Sequence, residues 1–212
     1  MGACCGSDCQ SSVKSVAPGF RKILWAALVI NAAMFLVEIV AGAAAGSSSL
    51  QADALDFLGD AANYGVSLFV LGMSLHRRAM ASMLKGATMG AFGLWVIGNT
   101  GWHLLNGTVP EAGVMGVIGA LALVANVAVA AMLYAFRDGD SNMRSVWICT
   151  RNDAIGNLAV LAAAVGVFGS GSGWPDYIVA AIMSGLALTG AFQVTRQALG
   201  ELAHTRRAAP AE

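Results

Sequence analysis

Six long apolar stretches run through this chain of 212 residues, and they decide what it can fold into. A helix that crosses a bilayer needs roughly 20 mostly apolar residues, and each stretch meets that length. The sequence therefore predicts an all-α integral membrane protein with six transmembrane helices. The predicted spans cover about residues 20–43, 50–74, 84–105, 112–136, 145–168 and 175–197.

The composition excludes several other classes of protein. Charged residues make up 11% of the chain, whereas a soluble domain usually carries about 25%. The formal net charge is zero, so we expect membrane lipid around the protein and no nucleic-acid partner. The sequence contains no Gly-x-Ser-x-Gly and no His-Glu-x-x-His motif, so we expect no enzyme.

The basic residues predict an orientation. Eleven of the twelve lie on one side of a six-span arrangement, and the three loops on the other side contain none. By the positive-inside rule both termini are expected in the cytoplasm. We divide the chain into a cysteine-containing cytoplasmic tail (1–19), a six-helix transmembrane domain (20–200) and a short cytoplasmic tail (201–212). In a bacterium the membrane would be the inner, cytoplasmic one. The eleven residues are Lys14, Arg21, Lys22, Arg77, Arg78, Lys85, Arg137, Arg144, Arg196, Arg206 and Arg207.

The second span carries three carboxylates, Asp53, Asp56 and Asp60, at spacings that share one face of a helix. Each charged side chain near the centre of a spanning helix costs about 2.5–3.5 kcal/mol on insertion scales. Bound cations, bound protons or a water-filled cavity must offset this cost. For Asp53, near the outer end, solvation at the membrane surface is the alternative. Asp60 lies ten residues into the span, too deep for that explanation.

The fifth span offers a matching set, because Cys149 and Asp153 are four residues apart, as Asp56 and Asp60 are. Two such pairs on two helices supply four ligands, and zinc favours tetrahedral sites built from Cys, His, Asp or Glu. Asp56, Asp60, Cys149 and Asp153 are therefore our candidate metal ligands. Because such ligands also bind protons, metal binding would release protons. The alternative for Cys149 is a small apolar side chain.

Further polar residues in the spans are candidate accessory ligands. Asn31 and Glu38 are seven apart and share a face of the first span, and Asn157 lies one turn beyond Asp153. Together with Asp53 they either line the ion path or hydrogen-bond between helices. Arg151, inside the fifth span, either extends to the membrane surface or acts at an inner gate.

The N-terminal tail contains three more candidate ligands, Cys4, Cys5 and Cys9, in the run "ACCGSDCQ". Thiols stay reduced in the cytosol, so this run is able to capture a metal ion there. The alternative is that the clustered cysteines have no role.

The run "NAAMFLVEIVAGAAAGSSSLQADALDFLGDAAN" resembles the cation diffusion facilitator family of divalent-metal/proton antiporters. The second-span (His or Asp)-x-x-x-Asp pair of that family falls on Asp56 and Asp60, and its fifth-span His-x-x-x-Asp pair falls on Cys149 and Asp153. "GWPDYIVAAIMSGLAL", with Asp176 near its start, is similar to the opening of the sixth span. The remaining matching positions are Asn31, Glu38, Gly42 and the lead 49–54.

The resemblance implies a homodimer that exports a divalent transition metal (zinc first, then cadmium or cobalt) in exchange for protons. It implies no cofactor beyond the transported metal. Three departures stand out: Cys149 replaces the usual His and favours softer ions, the loop "RDGDSNMR" has no histidine, and only "GELAHTRRAAPAE" follows where the family has a cytoplasmic domain. A dimer would then pair through membrane helices.

Two other functions stay open at this point. One is a membrane metal sensor or scaffold that transports nothing and binds metal through its cysteine tail. The other is a mercury-type carrier of soft metals, in which the tail cysteines pass the ion to Cys149.

Overall fold

The computed structural model describes residues 19–69, 75–136 and 141–208, without the side chains of 69, 75, 76, 78, 141–146, 148, 149 and 204–208. The described residues form six α-helices and no strand, as the sequence predicts. The helices are α1 (Phe20–Ala45), α2 (Ser48–Phe69), α3 (Leu75–Asn106), α4 (Ala112–Tyr134), α5 (Ser141–Ser170) and α6 (Trp174–Ala208).

Several helices extend beyond the apolar stretches that predicted them. α3 begins at Leu75 rather than near residue 84, and α6 continues to Ala208 rather than ending near residue 197. The helical hydrogen bonds continue into polar sequence, because only the apolar segment has to match the bilayer. Within the described residues, five helices are long and apolar enough to cross a membrane, and α2, which carries the three aspartates, is not among them.

α2 lies at the centre of the bundle, where it contacts each of the other five helices. The outward faces of the other helices are apolar; Leu105 is 86% exposed and Phe168 is 85% exposed. This is the arrangement of a membrane bundle, in which apolar side chains face lipid and polar side chains face other helices. The central position explains how α2 carries three carboxylates without presenting them to lipid.

α1 packs on the bundle through a single buried stripe whose members are three or four residues apart, the spacing of one helix face. Asn31 and Glu38 both belong to it, so the prediction that they share a face is confirmed. The stripe consists of Phe20, Leu24, Ala27, Asn31, Met34, Glu38, Gly42 and Ala45.

A tight turn joins α1 to α2. Gly46 ends α1 in the left-handed region, with φ of 66°, which an L side chain rarely adopts. The backbone N–H of Ser47 donates back to the Gly42 carbonyl at 2.9 Å. Gly42 lies directly against Leu50 and Gln51, so the two helices approach closely just below the turn.

The start of α2 is capped by a carboxylate from α6. The Oδ2 of Asp176 accepts the N–H of Ser48 at 2.8 Å, and its Oδ1 accepts the N–H of Ser49 at 3.0 Å. The hydroxyls of Ser47 and Ser49 also donate to Oδ1, at 2.7 and 2.6 Å. A carboxylate is favourable at a helix N-terminus, where the backbone N–H groups lack partners. We call the end of the bundle that contains this cap the loop end.

We predict that Asp176→Ala strongly destabilises the protein. All four donors and Asp176 itself are buried, and each buried polar group left unpaired costs about 1–3 kcal/mol. Thermal unfolding in detergent should show a clear fall in Tm. Ser49→Ala, which removes one of the four donors but keeps the carboxylate, is the matched control and should give a smaller fall. Equal Tm values for the two variants would contradict the role of this cap.

α3 and α6 pack closely through a glycine. A Cβ atom on Gly86 would overlap the Thr195 hydroxyl of α6 and would lie 3.2 Å from the Ala191 carbonyl oxygen. Because threonine is restricted at χ1 and the carbonyl belongs to the helix backbone, neither atom moves away easily. The sequence at Gly86 therefore sets the distance between these two helices.

We predict that Gly86→Ala destabilises the protein by about 1–3 kcal/mol, as overpacking does. Gly98→Ala on the same helix is the control, because no atom lies within 4 Å of a Cβ at that position. The control should be neutral or stabilising by up to about 1 kcal/mol, since alanine favours helix. Thermal unfolding of both variants measures the difference, and an unchanged Tm for Gly86→Ala would refute the close contact.

Candidate metal site

Asp60 lies at the interface of α2 and α5 and is held there by hydrogen bonds. The hydroxyl of Tyr64, one turn further along α2, donates to Oδ2 of Asp60 at 2.7 Å. The Thr150 hydroxyl of α5 is 2.6 Å from the Tyr64 hydroxyl and 3.5 Å from the same Asp60 oxygen. Since Tyr64 gives its only proton to Asp60, Thr150 is the donor between the two hydroxyls. All three side chains are buried.

Asp153 of α5 meets Asp60 across the helix interface, where the two carboxyl groups interact directly. Two carboxylates this close repel each other unless a proton or a cation lies between them. Asp56 is half-buried one turn before Asp60. α2 and α5 thus bring together Asp60 and Asp153, one member of each of the two predicted pairs. We call this group of side chains the Asp60 level.

The predicted set of four ligands is only partly described. The side chain of Cys149 lies outside the described residues, although its backbone is in α5, one turn before Asp153. Among the side chains that are described, no group of three or more His, Cys, Asp and Glu is gathered closely enough to hold a metal ion. The four-ligand site therefore stays a prediction that involves Cys149.

A second polar group lies closer to the loop end. Asp53 is 1% exposed, so the alternative of a carboxylate solvated at the membrane surface is wrong. Oδ2 of Asp53 accepts a hydrogen bond from the Asn157 amide of α5. Asn157 in turn accepts one from the Nδ2 of Asn126 of α4, at 2.9 Å. Three helices are therefore joined at this level by polar side chains.

Glu38 of α1 completes this second group. Its side chain is fully buried, and its carboxyl group lies beside that of Asp53 and within electrostatic range of Asp56. Neither carboxylate oxygen of Glu38 has a hydrogen-bond donor, and Oδ1 of Asp53 has none either. Asn31, also on α1, donates to the Ala27 carbonyl at 2.8 Å and leaves its own buried oxygen without a partner. We call Glu38 and Asp53 the Glu38–Asp53 pair.

Lys85 of α3 supplies a positive charge near the Asp60 level. Its ammonium group donates to the side-chain oxygen of Asn63, which is three residues beyond Asp60 on α2. Asp60 itself is within electrostatic range of Lys85. The sequence marked Lys85 only as one of the basic residues that orient the protein, whereas the structure places it next to a candidate ligand.

The other sequence-based candidates lie apart from this region or outside the described residues. Arg151 is exposed, and its guanidinium carbon is 5.3 Å from the centre of the Trp147 ring. This position agrees with a side chain that extends to the membrane surface. The tail cysteines Cys4, Cys5 and Cys9 lie outside the described residues.

Sequence reasoning missed Tyr64, Thr150 and Asn126. Tyr64 follows Asp60 by four residues, and helical spacing alone was enough to place it on the same face. Thr150 and Asn126 carry no charge in sequences that are otherwise apolar, so nothing in the pattern distinguishes them from ordinary polar residues between helices.

Comparison with known proteins identifies the family. Residues 24–203 match the cation efflux transmembrane domain. A cadmium, cobalt and zinc/H(+)-K(+) antiporter of Bacillus subtilis (strain 168) is 21% identical over 193 residues, which are 84% of this chain and 62% of that protein. The zinc transporter ZitB of Pectobacterium atrosepticum is 28% identical over 197 residues, which are 87% of this chain and 62% of that protein.

The chain thus spans about three fifths of the length of each of these two relatives. The family match covers most of the chain and includes nearly all of α1 to α6. Combined with the apolar helices, it makes the protein an integral multi-pass membrane protein. The chain belongs to the cation efflux, or cation diffusion facilitator, family, which is a family of transporters and not of enzymes.

Proposed function

We propose that the protein exports a divalent transition-metal cation through its helix bundle, with the Asp60 level as the transport site. The observation that carries this proposal is the meeting of Asp60 and Asp153 across α2 and α5. Asp60 is buried and Asp153 is half-buried, and a carboxyl pair between spanning helices stabilises the fold less than an apolar pair would. A cation that passes between the two carboxyl groups gives the pair a function.

The proposed ligands are Asp60, Asp153, Asp56 and Cys149, two from each of two helices. The described carboxyl groups are not gathered closely enough by themselves, so the proposal needs Cys149 and a small closure of α5 on α2. A thiolate beside carboxylates suits zinc, cadmium or cobalt better than magnesium. Zinc is the metal that we expect first, and both relatives are described as zinc transporters.

The counter-ion is the second part of the proposal. Metal ligands must lose their protons before they bind metal, so a carboxyl pair couples metal movement to proton movement in the opposite direction. The Bacillus relative is described as an exchanger of metal for H(+) and K(+). We propose proton exchange through the Asp60 level. The movement of ions requires no chemical conversion, so no catalytic residue is proposed, and the homodimer and the cytoplasmic termini stay predictions.

We predict that Asp60→Asn lowers metal flux at least tenfold. The amide keeps the shape of the side chain but removes the negative charge and the exchangeable proton. Zinc-dependent proton flux into proteoliposomes measures the effect. Glu111→Gln is the control, because Glu111 is an exposed carboxylate at the loop end and should leave flux unchanged. Wild-type protein that binds zinc and moves none would contradict export and favour the metal sensor.

We predict that Lys85→Gln raises the affinity for zinc several-fold. A fixed positive charge within range of Asp60 opposes a second cation at the same carboxylate, and its removal takes that repulsion away. Isothermal titration in detergent measures the change. Arg77→Gln near the start of the same helix is the control for loss of a basic charge, because Arg77 is exposed. An unchanged or weaker affinity for Lys85→Gln would refute this role.

A further inference from the structure

The residues around the Glu38–Asp53 pair leave several of its carboxylate oxygens without a hydrogen-bond donor. Glu38 is fully buried and Asp53 is 1% exposed, so water does not solvate them as it would a surface carboxylate. Both oxygens of Glu38 and Oδ1 of Asp53 receive no hydrogen bond from any other described group, and the two carboxyl groups lie within hydrogen-bonding range of each other. A buried polar group without a partner is rare in folded proteins, and a buried carboxylate without one is costly.

The surrounding side chains do not neutralise this pair. The carboxyl groups that act on Glu38 are those of Asp53 and Asp56, and both add negative charge. Asp53 receives one amide hydrogen bond, from Asn157, and the amide carries no net charge. Asn126 holds Asn157 in place and leaves its own buried oxygen without a donor. The two adjacent carboxyl groups therefore need either a shared proton or a bound cation between them.

The pair is separate from the proposed transport site. Asp53 and Asp60 are seven residues apart on α2, which corresponds to about 10 Å along the helix axis. Asp60 has the hydroxyl of Tyr64 as a donor and Lys85 as a nearby positive charge, whereas the Glu38–Asp53 pair has neither. A single ion does not contact Asp53 and Asp60 at the same time.

We propose that Glu38 and Asp53 form a second cation site, which binds an oxygen-preferring ion of the alkali or alkaline-earth class. Its ligand atoms are carboxylate oxygens, and they include no sulfur or imidazole nitrogen. Hard cations select such oxygen sites, whereas the zinc class favours sites that include nitrogen or sulfur. Neither Glu38 nor Asp53 is a proposed transport ligand, although Asp56, which is one, lies within electrostatic range of Glu38.

Thermal unfolding of the full chain in detergent tests the site directly. K⁺, Na⁺, Mg²⁺ and Ca²⁺ chlorides are titrated separately, with choline chloride to keep the ionic strength constant. A cation that binds the folded protein raises Tm in a saturable way. We expect this rise for at least one of the four cations in the wild type, and comparison of the four identifies the ion.

Three variants locate the effect. Glu38→Gln and Asp53→Asn keep the side-chain shape and should each raise the apparent Kd for that cation at least tenfold. Asp60→Asn should leave it unchanged while it weakens zinc binding. Circular dichroism and gel filtration establish that each variant is folded, and having two variants at the site keeps the test decisive if one of them fails to fold.

Three results would overturn the proposal. The first is a Tm that responds to pH but to none of the four cations, which would make the pair a proton-sharing couple. The second is a cation response that survives both Glu38→Gln and Asp53→Asn, which would place the ion elsewhere. The third is loss of the response in Asp60→Asn, which would assign the ion to the Asp60 level. Zinc flux measured in the same variants decides the transport proposal separately.

Discussion

The buried negative charge on α2 is the constraint on which the rest of this structure depends. Carboxylates inside a membrane bundle are tolerated only where other helices, and not lipid, surround them. α2 accordingly occupies the centre and contacts all five other helices, and it is the helix whose composition differs most from a membrane span. Its N-terminus is held by the Asp176 carboxylate of α6, which fixes the height of α2 in the bundle. The positions of Asp53 and Asp60 relative to α5 follow from that height.

The carboxyl groups at the Asp60 level and at the Glu38–Asp53 pair have different surroundings. At the Asp60 level, Tyr64 donates a hydrogen bond and Lys85 contributes positive charge, so Asp60 is stabilised by the protein itself. At the Glu38–Asp53 pair, the described residues supply one neutral amide, that of Asn157, and it donates to Asp53 only. Asp53 and Asp60 are therefore the same chemical group on one helix, about 10 Å apart along its axis, yet the protein stabilises their negative charge to different degrees. The side chains of α1, α3 and α5, more than those of α2, create this difference.

Helical periodicity was sufficient for the parts of the structure that depend on a single helix. It predicted the six helices, the shared face of Asn31 and Glu38, and the shared stripe of Asp53 and Asp60, all of which repeat at local spacings. It did not predict that Asn126 reaches Asn157 or that Lys85 approaches Asp60, because these contacts depend on how helices distant in the sequence pack. The helix ends were wrong for a related reason: a helix continues for as long as its hydrogen bonds are satisfied, and hydropathy reports only the segment in lipid.

In the proposed function, the affinity for soft metals would decrease along the ion path from the Asp60 level to the Glu38–Asp53 pair. Cys149 precedes Asp153 by one turn of α5, and a thiolate favours zinc and cadmium over hard ions. An ion that moves toward the loop end next meets Glu38 and Asp53, which offer oxygen ligands alone. For a soft metal, the binding free energy from oxygen ligands alone would be smaller than that from a site with a thiolate, so it would dissociate from the pair. A hard cation would stay bound there. If both proposals hold, the oxygen-only pair would bind a charge-neutralising hard cation when the transported metal is elsewhere, and it would release that metal instead of trapping it.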